Sequence, residues 1–215
     1  MMQRIKVPQF IKNIFSPETR VKWRQLETDF YWFIAGMPNP PVPSYKRILI
    51  NKWTKNFPRE VFVETGTYGG DTVEKFRKKF KRVYSIELDL GMAEKAQNRF
   101  KNNSNVEIIQ GDSSKVLPEI LKKIDAPVVF WLDGHYSGSG TAKSDLETPI
   151  IKELESIFLY QKNDFIILID DARCFIGKND YPTVLELKEF VNTKFGFCIL
   201  KIVNDIIIIT KEDDK

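Results

Sequence analysis

Acidic residues follow the apolar runs of this chain, and their spacing predicts a shared binding edge. Five runs rich in β-branched and aromatic residues each end at a carboxylate or within two residues of one. These acids are Glu64, Glu87, Asp112, Asp133, Asp170 and Asp171. In an open sheet of parallel strands, ligands bind beyond the carboxyl ends of the strands. The pattern therefore predicts one edge where carboxylates can hold hydroxyl groups, an ammonium group or a divalent metal ion.

Glycines surround the first of these acids. Residues 61–72 read VFVETGTYGGDT, in which an apolar run reaches Glu64 and three glycines precede helical spacing. Glycine allows positive φ and lets a ligand approach the main chain closely. A dinucleotide site would show G-x-G-x-x-G around a pyrophosphate. Glu64 would repel a pyrophosphate but attract an ammonium group, so the turn favours an adenosine ligand with a cationic head over NAD.

The stretch E-T-G-T-Y-G-G-D-T resembles motif I of class I S-adenosylmethionine (SAM)-dependent methyltransferases, in the form of the catechol-type O-methyltransferases. The resemblance implies SAM as the cofactor and methyl transfer as the activity. It also implies a set of cofactor contacts: Glu64, Thr65, Gly66, Thr67, Tyr68, Gly70, Thr72, Glu87, Leu88, Asp112, Ser113 and Asp133. Glu87 lies 23 residues after Glu64, an interval at which an acid can bind a ribose diol. Asp112 can contact adenine or cap the next helix, and the two roles are compatible.

A metal site is predicted downstream. Asp133 follows the run VVFWL, and Asp170 and Asp171 follow FIILI. Three like charges at short range favour a cation among them, and Mg²⁺ prefers oxygen ligands. The arrangement resembles metal-dependent O-methyltransferases that act on catechols or on sugars of natural products. A set of helix caps and loop hydrogen bonds without metal is the alternative.

The proton acceptor departs from the catechol-type pattern. Those enzymes carry a lysine three residues after the fourth-strand aspartate, where this chain has Tyr136. His135, the only histidine, is instead the candidate general base, beside Asp133 as the other predicted catalytic residue. An exposed histidine without a role is the alternative. Residues 134–148 are predicted to form a substrate-binding loop.

Alternating strands and helices must position these residues. Strands are predicted at 61–64, 83–87, 106–110, 128–133, 165–170, 197–203 and 206–210. The repeated β-α units imply parallel strands with right-handed crossovers. The last two strands are separated only by Asn204 and Asp205, which predicts a hairpin and an antiparallel last strand. We predict an α/β, Rossmann-like class I methyltransferase fold, with a seven-stranded, mostly parallel sheet, helices on both faces and extra N-terminal helices.

Residues 1–57 lie outside this alternation and are predicted to be a helical extension, with the methyltransferase domain at 58–215. The pattern predicts an amphipathic segment at 1–15, a helix over 16–35, and a second helix capped by Ser44. The extension would cap the substrate or form a homodimer contact. Most of its aromatic residues are predicted to pack in the core, with a substrate pocket as the alternative: Phe30, Tyr31, Trp32, Phe33 and Trp53.

The charge distribution, apolar content and cysteine content of the chain limit the kinds of function and location that we expect. Residues 1–60 hold 11 Lys and Arg against 4 Asp and Glu, which suits nucleic acid, an anionic surface, an acidic substrate or a solvated face. The absence of a bilayer-length apolar run and the two sparse cysteines predict a cytoplasmic protein. We predict Mg²⁺-assisted O-methylation of a hydroxyl on a sugar, glycan or small metabolite. A nucleic-acid methyltransferase and a SAM-binding protein without catalysis are the alternatives.

Overall fold

The strands lie where the apolar runs predict them. The computed structural model describes residues 16–134, 148–196 and 198–211. The strands are β1 (Val61–Thr65), β2 (Arg82–Glu87), β3 (Val106–Gln110), β4 (Val128–Leu132), β5 (Phe165–Ile169), β6 (Cys198–Val203) and β7 (Ile206–Lys211). The helices are α1 (Pro17–Ile34), α2 (Pro43–Trp53), α3 (Asp71–Phe76), α4 (Leu90–Phe100), α5 (Ser113–Leu121), α6 (Ile150–Tyr160) and α7 (Val184–Lys194), and a 3₁₀ turn covers Ala172–Cys174.

The seven strands form one sheet in the order β3-β2-β1-β4-β5-β7-β6. Strands β1 to β5 pair in parallel, whereas β7 runs antiparallel to both β5 and β6. The predicted antiparallel last strand is confirmed. The chain leaves β1 towards β3 on one side and returns to β4 on the other, so β1 and β4 flank a topological switch point. Ligands of open α/β sheets bind at such a point.

The core explains why the central strands read as continuous apolar runs. Every residue of β1, β4 and β5 is buried, as expected for parallel strands covered on both faces. Phe62 of β1 stacks on Phe76 of α3, with ring centroids 4.7 Å apart. Because the strand interiors are fixed by this packing, the residues that follow the strands are held in register with one another.

The chain divides into two compact units, Met1–Leu49 and Ile50–Lys215. In the first unit, α1 ends at Ile34 with Ala35 as its C-cap, and Gly36 follows with a φ of 82°; the predicted stop at this glycine is confirmed. Helix α2 starts at Pro43, two residues before the Tyr45 start that a Ser44 cap implies, because a proline at the first helical position is already set to helical φ. Ser44 therefore lies inside the first turn, and the prediction that it caps α2 is wrong. Its hydroxyl donates to Asp29 Oδ1 at 2.6 Å.

Two aromatic predictions in the first unit are also wrong. Phe30 and Phe33 are 60% and 65% exposed, so these side chains do not pack in the core. Residues 1–15, predicted to be amphipathic, lie outside the described residues. Within the described part of the chain, no helix is both long and apolar enough to span a membrane.

Candidate functional site

The glycine turn after β1 packs directly on the end of β4. Asp133 N donates to Thr65 O at 3.0 Å, and Gly66 N donates to Ile86 O at 2.9 Å. Gly66 has a φ of 88°, and a Cβ at this position would lie 2.6 Å from Asp133 O. Only glycine tolerates both constraints. The predicted close approach at Gly66 is therefore made by the protein's own backbone at Asp133, next to the switch point.

Glu64 is buried at the base of this turn. Ser85 of β2 donates from Oγ to Glu64 Oε2 at 2.7 Å, and Ser85 Oγ lies 2.6 Å from Thr67 Oγ1. All three side chains are buried. A buried carboxylate needs hydrogen-bond partners or a cation; the Ser85 hydroxyl is one such partner, and Thr67 in turn holds that hydroxyl. The sequence predicted Glu64 and Thr67 as ligand contacts but gave no signal for Ser85, which becomes a neighbour only through the pairing of β1 with β2.

Glu87, at the end of β2, is hydrogen-bonded to the glycine turn that follows β1. Its Oε2 accepts from Tyr68 N at 2.7 Å, and its Oε1 accepts from Asp89 N at 3.0 Å. Tyr68 itself has a φ of 46° and an exposed side chain. The carboxylate predicted to bind a ribose therefore also holds two backbone segments, and each oxygen retains a lone pair for a ligand hydroxyl.

Asp112 makes the helix cap that was one of its two predicted roles. Its Oδ1 accepts from Ser114 N at 2.9 Å at the start of α5, and Ser113 is buried beside it. Gly111 N donates to Glu87 O at 2.8 Å, which ties this turn to the end of β2. Leu88 and Thr72, two further predicted cofactor contacts, are half-buried.

The three predicted metal ligands converge. One carboxylate oxygen from each of Asp133, Asp170 and Asp171 lies within 4.8 Å of the others. Asp170 N donates to Leu132 O at 3.0 Å, which joins the ends of β4 and β5. Asp171 N donates to Asp170 Oδ1 at 2.8 Å. Asp133 is half-buried and the other two are buried, so the cluster has one face towards solvent.

Arg173 adds a cation that sequence reasoning missed. Its Nη1 donates to Asp171 Oδ1 at 2.7 Å and also to Asp205 Oδ2. Burial acts to lower the pKa of Arg173, but Asp171 and Asp205 outweigh it and raise the pKa overall. The contact requires the β6–β7 turn to reach the carboxyl end of β5, which the spacing of residues along the chain does not reveal.

A small pocket adjoins the acid cluster. Its polar lining includes Thr148, Glu153, Asp170 and Tyr181. Burial raises the pKa of the Tyr181 phenol, with further contributions from Cys174 and Asp171, so the phenol stays protonated at neutral pH. Glu153 and Tyr181 were not predicted as site residues. Glu153 carried no distinguishing signal in the sequence, since Glu155 is an acid in the same helix α6.

Some predicted residues are not placed by the structure. His135, Tyr136 and most of the predicted substrate loop lie outside the described residues, so the role of His135 as a base stays a prediction. Gly134 and Thr148, which flank this segment, are both described. The backbone of Gly134 lies beside Thr65, because a Cβ on Gly134 would stand 3.1 Å from Thr65 Oγ1.

Known proteins resemble this chain in part of its sequence and in its fold. No family model matches the chain. A protein named "Probable ribosomal RNA small subunit methyltransferase A" from Methanosarcina barkeri is 41% identical over 66 residues, which is 30% of this chain and 23% of that protein. The match therefore spans less than a quarter of the relative's length.

Two solved structures resemble a much larger share of the chain. The O-methyltransferase TomG from Streptomyces achromogenes, in complex with SAM, has a TM-score of 0.56 at 16% identity over 87% of this chain and 88% of its own. An O-methyltransferase from Bacillus cereus, in complex with SAH, has a TM-score of 0.56 at 16% identity over 94% of this chain and 95% of its own. The predicted class I methyltransferase fold is confirmed.

Proposed function

We propose that this protein is a SAM-dependent methyltransferase that methylates a hydroxyl group of a sugar, glycan or small metabolite with the help of Mg²⁺. The observation that carries the proposal is that two features meet at Asp133. Its backbone supports the glycine turn at Gly66, with 2.6 Å between the backbone oxygen and a Cβ built there. Its side chain belongs to the acid cluster. A cofactor on the turn would lie next to the acids.

The residues present fit SAM. Thr65 Oγ1 is buried and has no hydrogen-bond partner among the described residues, so a ligand atom can satisfy it. Glu64 provides the negative charge that an amino-acid ammonium group requires, and Glu87 provides acceptors for a ribose diol. When bound, SAM supplies a methyl group on a cationic sulfur. The chain's part is to hold the two ends of the cofactor and orient the acceptor.

The carboxylates of Asp133, Asp170 and Asp171 also fit a divalent cation. Mg²⁺ binds oxygen at about 2.1 Å, so two of its ligands are at most about 4.2 Å apart. The oxygens of the cluster lie within 4.8 Å of one another, so a pair at that limit would close by about half an ångström around Mg²⁺. Ca²⁺, which takes longer bonds of about 2.4 Å, would need less adjustment. A bound divalent cation supplies a Lewis acid for the acceptor oxygen.

The acceptor proton needs a base near this cluster. His135 follows Asp133 by two residues and is the proposed acceptor of the proton. Tyr181 is a poor base because its raised pKa keeps the phenol protonated; it suits donation of a hydrogen bond to the acceptor instead. The O-methyltransferases among the structural neighbours support a hydroxyl acceptor.

Calorimetry tests the proposal. The wild-type protein is titrated with SAM, with NAD, and then with Mg²⁺ in the presence of S-adenosylhomocysteine. We expect binding of SAM, no binding of NAD and a further heat with Mg²⁺. Asp133→Ala should remove the Mg²⁺ heat and methyl transfer while changing the SAM affinity less than about threefold, or under 1 kcal/mol.

The matched control for that variant is Asp164→Ala. Asp164 is an exposed aspartate just before β5, at the opposite end of the strand from Asp170, and it pairs with Lys211. This control should keep both heats. SAM binding without a Mg²⁺ heat would support the proposed methyltransferase activity and refute the proposed metal site. Failure to bind SAM would overturn the proposal.

A ribosomal RNA acceptor is the second candidate, favoured by the relative from Methanosarcina barkeri. A group of cations supports it: Lys75 and Arg59 lie close enough to Lys79 for their charges, together with burial as the larger cause, to lower the pKa of Lys79. These three cations form no ion pair among the described residues. RNA binding through them should weaken steeply with salt. A labelled ribosomal RNA fragment should lose affinity for Lys75→Glu/Lys79→Glu, but not for the exposed control Lys188→Glu/Lys201→Glu; equal affinities would exclude this surface.

The predicted homodimer remains part of the proposal. Leu26, Phe30 and Phe33 lie on one face of α1, and each is 60–65% exposed. Their spacing of four and three residues is typical of a helix–helix contact, so the proposed occupant is α1 of a second copy. Sedimentation equilibrium should give twice the 25.1 kDa mass of one chain. Leu26→Glu/Phe33→Glu should give a monomer and the opposite-face control Arg24→Glu should not; a monomeric wild type would exclude the dimer.

A further inference from the structure

Arg173 is bound to two buried carboxylates from different parts of the chain. Its Nη1 donates to Asp171, which follows β5, and to Asp205, which lies in the turn between β6 and β7. The side chains of Asp171 and Asp205 are only 8% and 4% exposed, whereas that of Arg173 is 45% exposed. The guanidinium therefore reaches inward from the surface and joins the acid cluster to the hairpin.

Asp205 also holds the backbone that carries Asp171. Its Oδ1 accepts from Arg173 N at 2.8 Å, and its backbone oxygen accepts from Ala172 N at 2.9 Å. Asp171 and Asp205 have φ values of 56° and 66°, a region that costs an L residue about 1–2 kcal/mol. The hydrogen bonds of Arg173 and Asp205 offset that cost and restrain both the backbone and the carboxylate of Asp171.

We infer that Arg173 and Asp205 are positioning residues that orient Asp171 for a divalent cation. The inference rests on the proposed function, because it assigns a role to residues beside the proposed metal site. The pair brings one positive and one negative charge, so it does not change the net charge of the cluster. Its contribution is orientation: Asp171 Oδ1 is bound by Arg173, and the carboxylate is thereby held towards Asp133 and Asp170. Partners of this kind commonly contribute 10–100-fold, in round numbers, to metal affinity.

A charge-balanced double variant separates orientation from electrostatics. Arg173→Gln/Asp205→Asn removes both charges together; Asn matches Asp in size, and Gln is a shorter, uncharged replacement for Arg. Mn²⁺, titrated by electron paramagnetic resonance in the presence of S-adenosylhomocysteine, reports metal binding without turnover. We expect the double variant to lose about tenfold or more in Mn²⁺ affinity and to keep its SAM affinity.

The matched control removes another charge-balanced pair. Glu74 and Arg77 form a bidentate ion pair, with distances of 2.6 and 3.0 Å, on the surface of the same unit. Glu74→Gln/Arg77→Gln should keep the wild-type Mn²⁺ affinity. Should the first double variant fail to fold, Arg173→Lys serves instead: it keeps the positive charge, but one ammonium cannot reproduce the fixed donor geometry of guanidinium. This variant should melt normally and still bind Mn²⁺ several-fold more weakly.

Each outcome decides the inference. Unchanged Mn²⁺ affinity in a folded double variant would overturn the positioning role and leave the metal site intact. Tighter Mn²⁺ binding by the double variant would also overturn it, since Arg173 would then act as a competing cation. A wild-type protein that binds SAM but no Mn²⁺ would refute the proposed metal site, and the inference would fall with it.

Discussion

Gly66 offers the sharpest test of how the turn is supported. A Cβ at this position would lie 2.6 Å from Asp133 O and 3.0 Å from Asp133 C. Both atoms belong to the backbone at the end of β4, so no side chain can rotate away. Gly66→Ala must therefore shift the glycine turn, the end of β4, or both. Because Asp133 belongs to the acid cluster, the shift would also reach the proposed metal site.

The expected loss of stability in Gly66→Ala is the sum of a backbone-conformation cost and a steric cost. The φ of 88° places an alanine in the left-handed region, at a cost of about 1–2 kcal/mol. Relieving the overlap with a packed main chain costs about 1–3 kcal/mol more. The free energy of unfolding should fall by about 2–5 kcal/mol, which lowers the Tm of a chain of this size by about 5–20 °C. The affinity for SAM should fall as well, since the turn is displaced.

Gly69→Ala is the matched control in the same turn. Gly69 has no heavy atom within 4 Å of a Cβ built on it, and its φ does not lie in the left-handed region. Its free energy of unfolding should change by less than about 1 kcal/mol. Both variants are compared with wild type by thermal melting without ligand and by SAM titration. A Gly66→Ala protein that melts like wild type, or a Gly69→Ala protein that is equally destabilised, would refute the assigned packing.

Three further predictions concern single side chains. In Glu87→Gln an NH2 group replaces one of the two oxygens that hold the turn and are proposed to accept from the ribose, so SAM affinity should fall by about 1–3 kcal/mol; calorimetry showing an unchanged Kd would contradict this. Hydrogen bonds from Arg77 lower the pKa of Glu74 to about 2. The ion pair therefore stabilises the folded protein above about pH 4.5, and this stabilisation is lost as the pH falls towards 2. At pH 7, Glu74→Gln should lower the free energy of unfolding by about 0.5–1 kcal/mol after allowance for solvent screening. Urea unfolding of the variant and wild type should show this difference at pH 7 and no difference near pH 2. Burial raises the pKa of Cys198 to about 11 and also raises that of Cys174. Both thiols should therefore react slowly with a disulfide reagent at about pH 8 in the folded protein and rapidly after the protein is unfolded. A fast reaction of the folded protein would contradict the raised pKa values.

Local sequence signals were sufficient to predict the positions of the strands and the carboxylates that follow them. Runs such as VVFWL and FIILI are long enough for one strand and too apolar for an exposed one, which predicts their central position. Asn204 and Asp205 predicted the hairpin because so short a connection can join only antiparallel strands. The convergence of Asp133 with Asp170 followed as well, since parallel neighbouring strands bring their carboxyl ends to the same edge.

Contacts between distant segments could not be predicted in this way. Ser85 reaches Glu64 only through the register of β1 and β2, and the exposure of Phe30 and Phe33 depends on what surrounds α1. Glu87 was read as a ligand residue, while the fold also uses it to bind the backbone at Tyr68. In each case the chemical type of the residue was visible in the sequence and its partner was not.

The sequence by itself determined which residues end the strands, because backbone propensity and apolar periodicity act over a few neighbouring positions. Tertiary structure alone decided that Arg173 meets both Asp171 and Asp205, 32 residues apart in the second case. That contact depends on β7 returning antiparallel beside β5, which brings the hairpin turn to the carboxyl end of the parallel strands. Burial then makes the pairing of these charges obligatory, since an isolated carboxylate in the protein interior is too costly to keep.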